Sequence, residues 1–138
     1  MVENYFGILA AIMKILIYLA LLVCARDGFA NWVKVESSDQ RFREYFYDAD
    51  RVRKRGNVVY LWLRVRYHEA TENGHWGSQA HYQINCAVYS MKASQITVYK
   101  DKNWEHISES FPNRVSAKKI SIDPMSPVKR LADFVCQN

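Results

Sequence analysis

The stretch "VVYLWLRVRYHEA", residues 58–70, alternates between apolar and polar or aromatic side chains at every second position. A period of two is typical of a β-strand that buries one face in the core. We assign the aliphatic face to the core, and the other face then meets water or a partner. The core face carries Val59, Leu61, Leu63, Val65 and Tyr67, and the other carries Tyr60, Trp62, Arg64, Arg66 and His68.

Shorter alternating segments on both sides of this strand predict further strands of the same sheet. The loop "TENGHWGS", residues 71–78, contains two glycines and predicts a hairpin between the two longest strands. The basic segment before the main strand is predicted as a turn region, over 49–57, and residues 102–114 as irregular. The additional predicted strands are 32–36, 43–48, 79–90, 94–101 and 115–122.

The C-terminal segment "SPVKRLADFVC", residues 126–136, changes from strand to helix periodicity. Ser126 is a favourable N-cap, and Pro127 suits the first helical position. Val128, Leu131 and Val135 recur on one helical face, which can lie on a sheet. The sequence therefore predicts an α+β fold: an antiparallel sheet of about five or six strands with one C-terminal α-helix packed on it.

The N-terminus has the pattern of an export signal. Residues 15–23, "ILIYLALLV", follow Lys14 and have the length of a signal-peptide apolar region. Small residues at Gly28 and Ala30 fit the positions before a cleavage site. We predict a cleaved signal peptide over 1–30, with no stable membrane span afterwards, and a single domain over 31–138.

Three alternatives at the N-terminus stay open. "MKILIYLALLV" is a more ordinary signal, which favours Met13 as the true start. A transmembrane anchor over residues 5–25 would place Lys14 mid-bilayer, at a cost of about 3 kcal/mol. Acylation of Cys24 would make a lipoprotein, although Val23 departs from the small residue that a lipobox requires.

Cleavage leaves two cysteines in the predicted domain, Cys86 and Cys136. A pair of cysteines in a small exported domain indicates one disulfide. Cys86 lies in the predicted strand 79–90, on the inward face with Ile84 and Val88, so the bridge would link the C-terminal helix to a central strand. Closing so long a loop stabilises the fold by about 4 kcal/mol.

Several short motifs resemble the surface-adhesin protein E family of Gram-negative bacteria. They are "NWVKV" at 31–35, "YFYDADRV" at 45–52, "YQINCAVYS" at 82–90 and "ISIDPMSPVKRLADFVC" at 120–136. The resemblance implies a bridged cysteine pair and a sheet with a C-terminal helix. It also implies export to the periplasm or cell surface and binding of host matrix or serum proteins.

The charge is +5, and the most basic segment is "RVRKR", with Arg51, Arg53, Lys54 and Arg55. Such a patch suits an anionic partner, such as lipopolysaccharide headgroups or other anionic components of the cell envelope, heparin-like glycans, or an acidic host protein. The alternative is a solvated turn that keeps the domain soluble.

The stripe formed by Tyr60, Trp62, Arg64 and Arg66 is a second candidate, because aromatic and arginine residues anchor interfaces. Three interpretations remain open at this stage. The stripe binds a ligand or protein, it forms a homodimer contact, or the helix covers it within the chain.

Enzymatic motifs are missing from the sequence. The four histidines have no metal-ligand spacing, and neither a nucleophile elbow nor a phosphate loop occurs. Asp48 and Asp50 fit a turn or cap role better than a cation site. We therefore expect no catalytic residue, cofactor or metal, and export argues against nucleic acid as a partner.

The predicted function is that of an exported, non-enzymatic interaction module for an acidic macromolecular partner. The alternative is a periplasmic envelope structural protein that dimerises through its exposed aromatic and basic sheet face.

Overall fold

A computed structural model describes residues 2–24, 30–36, 43–112 and 118–138. A short 3-10 turn, Ala49–Arg51, follows the second strand. The helices are α1 (Val2–Cys24) and α2 (Pro127–Gln137), and the strands are β1 (Trp32–Lys34), β2 (Arg43–Asp48), β3 (Arg53–Arg55), β4 (Val58–Tyr67), β5 (Gly77–Asn85), β6 (Ser90–Tyr99), β7 (Ile107–Phe111) and β8 (Ile120–Ser121).

The strands form one antiparallel sheet in the order β1-β2-β4-β5-β6-β7, with β3 beside β4 and β8 beside β6. β4 is long enough for two short strands to share one of its edges. β3 pairs with residues 58–60, and β2 pairs with residues 63–67. This arrangement confirms the predicted antiparallel sheet with a C-terminal helix.

The hydrophobic core lies between α2 and one face of the sheet. β4 supplies Val59, Leu61 and Leu63, all buried, as the alternation predicts. Ser126 caps α2 by accepting a hydrogen bond from the backbone N–H of Lys129 at 3.2 Å. The helix contributes Leu131, Ala132 and Val135 to the core.

The Cys86–Cys136 disulfide is confirmed, with the two Cα atoms 5.7 Å apart. Its position differs from the prediction, because β5 ends at Asn85 and Cys86 begins a turn. The Asn85 side chain accepts a hydrogen bond from Ala87 N–H at 3.0 Å, which turns the chain away from the strand. Val88, predicted to be a core residue, is consequently exposed.

Three other predicted boundaries were wrong. The predicted irregular segment 102–114 contains β7, a short edge strand whose two large apolar residues are both exposed. The predicted turn contains β3, because Arg53–Arg55 pairs with the start of β4. Of the predicted strand 115–122, residues 115–117 lie outside the described residues, and only β8 forms in the remainder.

α1 contains the predicted apolar signal segment 15–23. Its described large apolar side chains, such as Ile8 and Leu16, are exposed. Within the described part of the chain, no helix has the combination of length and hydropathy needed to cross a membrane. The cleavage site before Asn31 stays a prediction.

Candidate binding face

The face of the sheet opposite α2, called here the outer face, carries the predicted stripe. Tyr60, Trp62, Arg64 and Arg66 are all half-buried there, next to their core-facing neighbours on β4. The antiparallel register continues this face across the adjacent strands. Opposite the stripe lie Phe46 on β2 and Gln79, His81 and Gln83 on β5.

Arg64 is held between two indole rings. Its guanidinium carbon lies 4.2 Å from the ring centre of Trp32 and 4.9 Å from that of Trp104. Its Nε donates a hydrogen bond to Oε1 of Gln79 at 2.7 Å. Burial lowers the pKa of Arg64, which nevertheless keeps its charge because a free arginine titrates far above neutrality. The stacking fixes the orientation of the guanidinium.

Arg66 is also fixed, but it shares a carboxylate. Its Nε donates to the carbonyl oxygen of Lys102 at 3.0 Å, and its Nη1 lies 3.3 Å from Oε2 of Glu44. Lys34 donates to the same carboxyl group at 2.7 Å. The hydrogen bond from Lys34 is the largest influence that lowers the pKa of Glu44. Two cations therefore share one acid.

Trp104 covers this end of the outer face. It stacks against both arginines, with 4.7 Å from its ring centre to the guanidinium carbon of Arg66, and meets Phe46 edge-on at 5.5 Å. Its Nε1 donates to the Val65 carbonyl oxygen at 3.2 Å. The helix does not supply this cover, because α2 packs on the opposite face of the sheet, and the loop that carries Trp104 supplies it instead.

The loop that carries Trp104 is organised by one acid. The Asp101 carboxylate accepts hydrogen bonds from the backbone N–H groups of Asn103, Glu105 and His106, at 2.7 to 3.2 Å. These bonds lower the pKa of Asp101 against an opposing effect of burial, which is the largest single influence. The side chains of Asp101, Glu105 and His106 have potential ligand atoms within 4.8 Å of one another. Because backbone donors engage the central carboxylate, we assign the group to loop structure.

Tyr60, Trp62 and His81 form an aromatic cluster at the other end of the stripe. The His81 ring centre lies 5.1 Å from that of Trp62 and 6.3 Å from that of Tyr60. The guanidinium carbon of Arg51 lies 5.5 Å from the ring centre of Trp62. Burial, and then the charge of Arg51, lower the pKa of His81.

Ser94 determines which nitrogen of His81 carries the proton. The Ser94 hydroxyl donates its single proton to the His81 carbonyl oxygen at 3.2 Å. It must therefore accept from Nδ1–H of His81, which lies 2.7 Å away. Neutral His81 consequently keeps the lone pair of Nε2 available as an acceptor.

The basic stretch divides between the two sides of the sheet. Arg51 pairs with the fully buried Asp48, which also caps the 3-10 turn, so the predicted cap role of that acid is confirmed. Arg53 lies opposite Tyr60, on the outer face. Lys54 points to the other side and donates to the Cys136 carbonyl oxygen at 2.6 Å, at the C-terminal end of α2.

The two candidate sites of the sequence therefore converge on one feature. An arginine accompanies each of five alternate positions along β4, and we call this set the arginine row. Arg55 is opposite Val58, Arg53 is opposite Tyr60, Arg51 lies over Trp62, and Arg64 and Arg66 belong to the strand itself.

Three residues of this face were not predicted from the sequence: Trp32, Trp104 and His81. Trp104 is the most informative omission, because a tryptophan in a polar loop must usually pack against something. That signal indicates burial, but it does not indicate which strand the ring covers.

Comparison with known proteins gives one family and one fold. The family model described as surface-adhesin protein E matches residues 32–137. No curated protein sequence matches the chain significantly.

Solved structures of protein E from Haemophilus influenzae share the fold. The selenomethionine form has a TM-score of 0.57 at 14% identity, over 81% of this chain and 90% of that one. Crystal form II has a TM-score of 0.51 at 15% identity, over 68% and 80%. Protein E from a non-typeable strain has a TM-score of 0.52 at 13% identity, over 82% and 80%.

Proposed function

This chain belongs to the surface-adhesin protein E family, and on that premise we propose that its arginine row binds an acidic macromolecular partner. Surface adhesins are binding proteins that act outside the cytoplasm, so the chain is an exported or cell-surface protein. The proposed partners are host matrix or serum proteins, or anionic components of the bacterial envelope. The proposed signal peptide over residues 1–30 agrees with this location.

The observation that carries the proposal is the excess of positive charge on the outer face. In the described strands, the register assigns two carboxylates to this face, and cations already engage both. Glu44 contacts Lys34 and Arg66, and Asp48 contacts Arg51. Among the described residues, Arg64 forms no ion pair with a carboxylate, and its guanidinium is oriented by the two indole rings. A partially desolvated, oriented guanidinium is well suited to an external anion.

The alternative role, in an envelope protein that dimerises through this face, has an electrostatic cost. A two-fold axis would bring two arginine rows together, and like charges at an interface oppose association. Such a dimer would need bridging anions. Sedimentation at varied protein concentration, with and without added sulfate, separates the two roles.

The proposal is tested by measuring binding of the full chain to polyglutamate, a simple acidic polymer, at several salt concentrations. The variant Arg53→Gln with Arg55→Gln removes two exposed charges from the outer face. The matched control, Lys54→Gln with Arg130→Gln, removes two charges from the side of α2. We expect salt-sensitive binding that the first variant weakens and the control preserves. An equal loss in both variants would show that net charge, not the row, attracts the polymer.

A further inference from the structure

Resting on the proposed function, we infer that the partner is a sulfated linear polysaccharide that lies along β4. The outer face carries arginines beside alternate positions of β4, together with aromatic rings and amide side chains. This combination matches a chain that repeats sulfate groups, sugar rings and hydroxyl groups.

The geometry of the row favours an extended polyanion. One two-residue step along a strand is about 6.6 Å, so the five positions of the arginine row extend over about 26 Å. Arg55 and Arg66 mark its two ends, opposite Asn85 and Gly77 through the pairing of β4 with β5. A compact anion would contact one or two of these groups, whereas an extended chain can reach from the exposed Arg53 and Arg55 to the half-buried Arg64.

The neighbouring side chains on β5 and β6 suit sugar hydroxyl groups. Gln83 is opposite Tyr60, and Gln95 is opposite His81. Amide groups both donate and accept hydrogen bonds, and Nε2 of His81 adds an acceptor. Half-buried Tyr60 and Trp62 supply ring surface between the charged groups.

An ordinary protein partner fits this face less well. Protein interfaces centre on a buried apolar or aromatic anchor and lose charge at their core. Among the described residues, the exposed large hydrophobic side chains lie outside β3, β4 and β5. The outer face instead carries guanidinium groups. Their paired N–H donors bind two sulfate oxygens at once, as they bind carboxylates and phosphates.

The test compares four immobilised polyanions with the full chain: heparin, completely desulfated heparin, polyglutamate and double-stranded DNA. Heparin serves as the sulfated polysaccharide. Desulfated heparin tests whether the sulfate groups are needed, and polyglutamate and DNA test whether any polyanion is sufficient. The variants are Arg53→Gln with Arg55→Gln, and the control Lys54→Gln with Arg130→Gln. Circular dichroism verifies that each variant is folded.

We expect heparin to bind more tightly than the other three polymers. The outer-face variant should lose about tenfold in affinity for heparin, the size expected from two exposed charge contacts, while the control stays near the parent.

Two results would overturn the inference. If polyglutamate or DNA binds as tightly as heparin, and only the outer-face variant is weakened, the proposed function stands and the polysaccharide inference fails. If the outer-face variant and the control lose heparin affinity equally, the arginine row is not the site, and the proposed function fails with it.

Discussion

Gly77 is the residue on which the cover of Arg64 and Arg66 depends. A Cβ atom at this position would lie 2.9 Å from Nε1 of Trp104 and 3.1 Å from the carbonyl oxygen of Val65. The absence of a side chain is therefore what lets the indole approach the strand and donate to that carbonyl. Backbone strain plays no part, because the requirement is one of space.

We predict that Gly77→Ala destabilises the fold by about 1 to 3 kcal/mol, the usual cost of overpacking. In a Trp104→Ala background the same substitution should cost less, because the clashing indole is gone and only the close contact with the Val65 carbonyl oxygen remains. Urea unfolding of the parent, both single variants and the double variant measures the coupling. Equal costs in the two backgrounds would show that the ring does not rest on Gly77.

His81 provides a pH-dependent test of the aromatic cluster. Its pKa is lowered by burial and by Arg51, so the unfolded chain binds a proton at His81 at a higher pH than the folded chain. Protonation therefore favours unfolding, and stability should fall as pH drops below about 6.5, the ordinary histidine value. His81→Gln should flatten this part of the curve of unfolding free energy against pH. An unchanged curve would mean that His81 is not desolvated by Tyr60 and Trp62.

At the residue scale, the sequence predicts which side chains form the stripe, but it does not predict that the Trp104 ring covers part of it. Alternation along residues 58–67 assigns Trp62 and Arg64 to one face without any knowledge of other strands. The contact of Trp104 with Val65 joins residues separated by 39 positions. Local periodicity carries no information about such a contact.

At the element scale, the disulfide is the connection between α2 and the sheet that the sequence predicted best. It closes a loop with a sequence separation of 50 residues, so its removal frees a long unfolded segment. We predict that Cys86→Ser with Cys136→Ser lowers the unfolding free energy by about 4 kcal/mol. Urea unfolding of the oxidised parent and of the double variant measures this. The reduced parent should behave like the variant, and a loss near zero would contradict a structural role.

The boundaries of the elements depended on side-chain chemistry that periodicity does not detect. Apolar alternation through Cys86 and Val88 predicted a continuing strand, but the hydrogen bonds of Asn85 end it. β7 shows the opposite error, because an exposed edge strand needs little apolar alternation. Its residues Ile107 and Phe111 frame the polar sequence "SES".

At the scale of the whole molecule, the sheet separates two kinds of surface. One side holds the apolar core under α2, and the other holds the arginine row. A small groove of about 250 Å³ lies between β1 and α2, lined by Val33, Tyr47, Leu131 and Phe134 among others. This groove is an apolar competitor to the outer face as a contact surface.

The fold class followed from two periodicities, two in the strands and 3.6 in the last helix. Strand order did not follow from them, and it is strand order that creates the arginine row. β3 and β2 occupy the same edge of β4, which places Arg53 and Arg55 on the same face of the sheet as Arg64 and Arg66. The sequence presented these residues as two separate candidates.

The most direct test of the arginine row is NMR of the full chain with heparin added in steps, observing the side-chain Nε–Hε signals of arginine. The account predicts that Arg53, Arg55, Arg64 and Arg66 shift together, while Arg130 on α2 does not. Shifts confined to Arg130 and to backbone signals around the groove of Phe134 would contradict it, and would assign binding to the side of the helix.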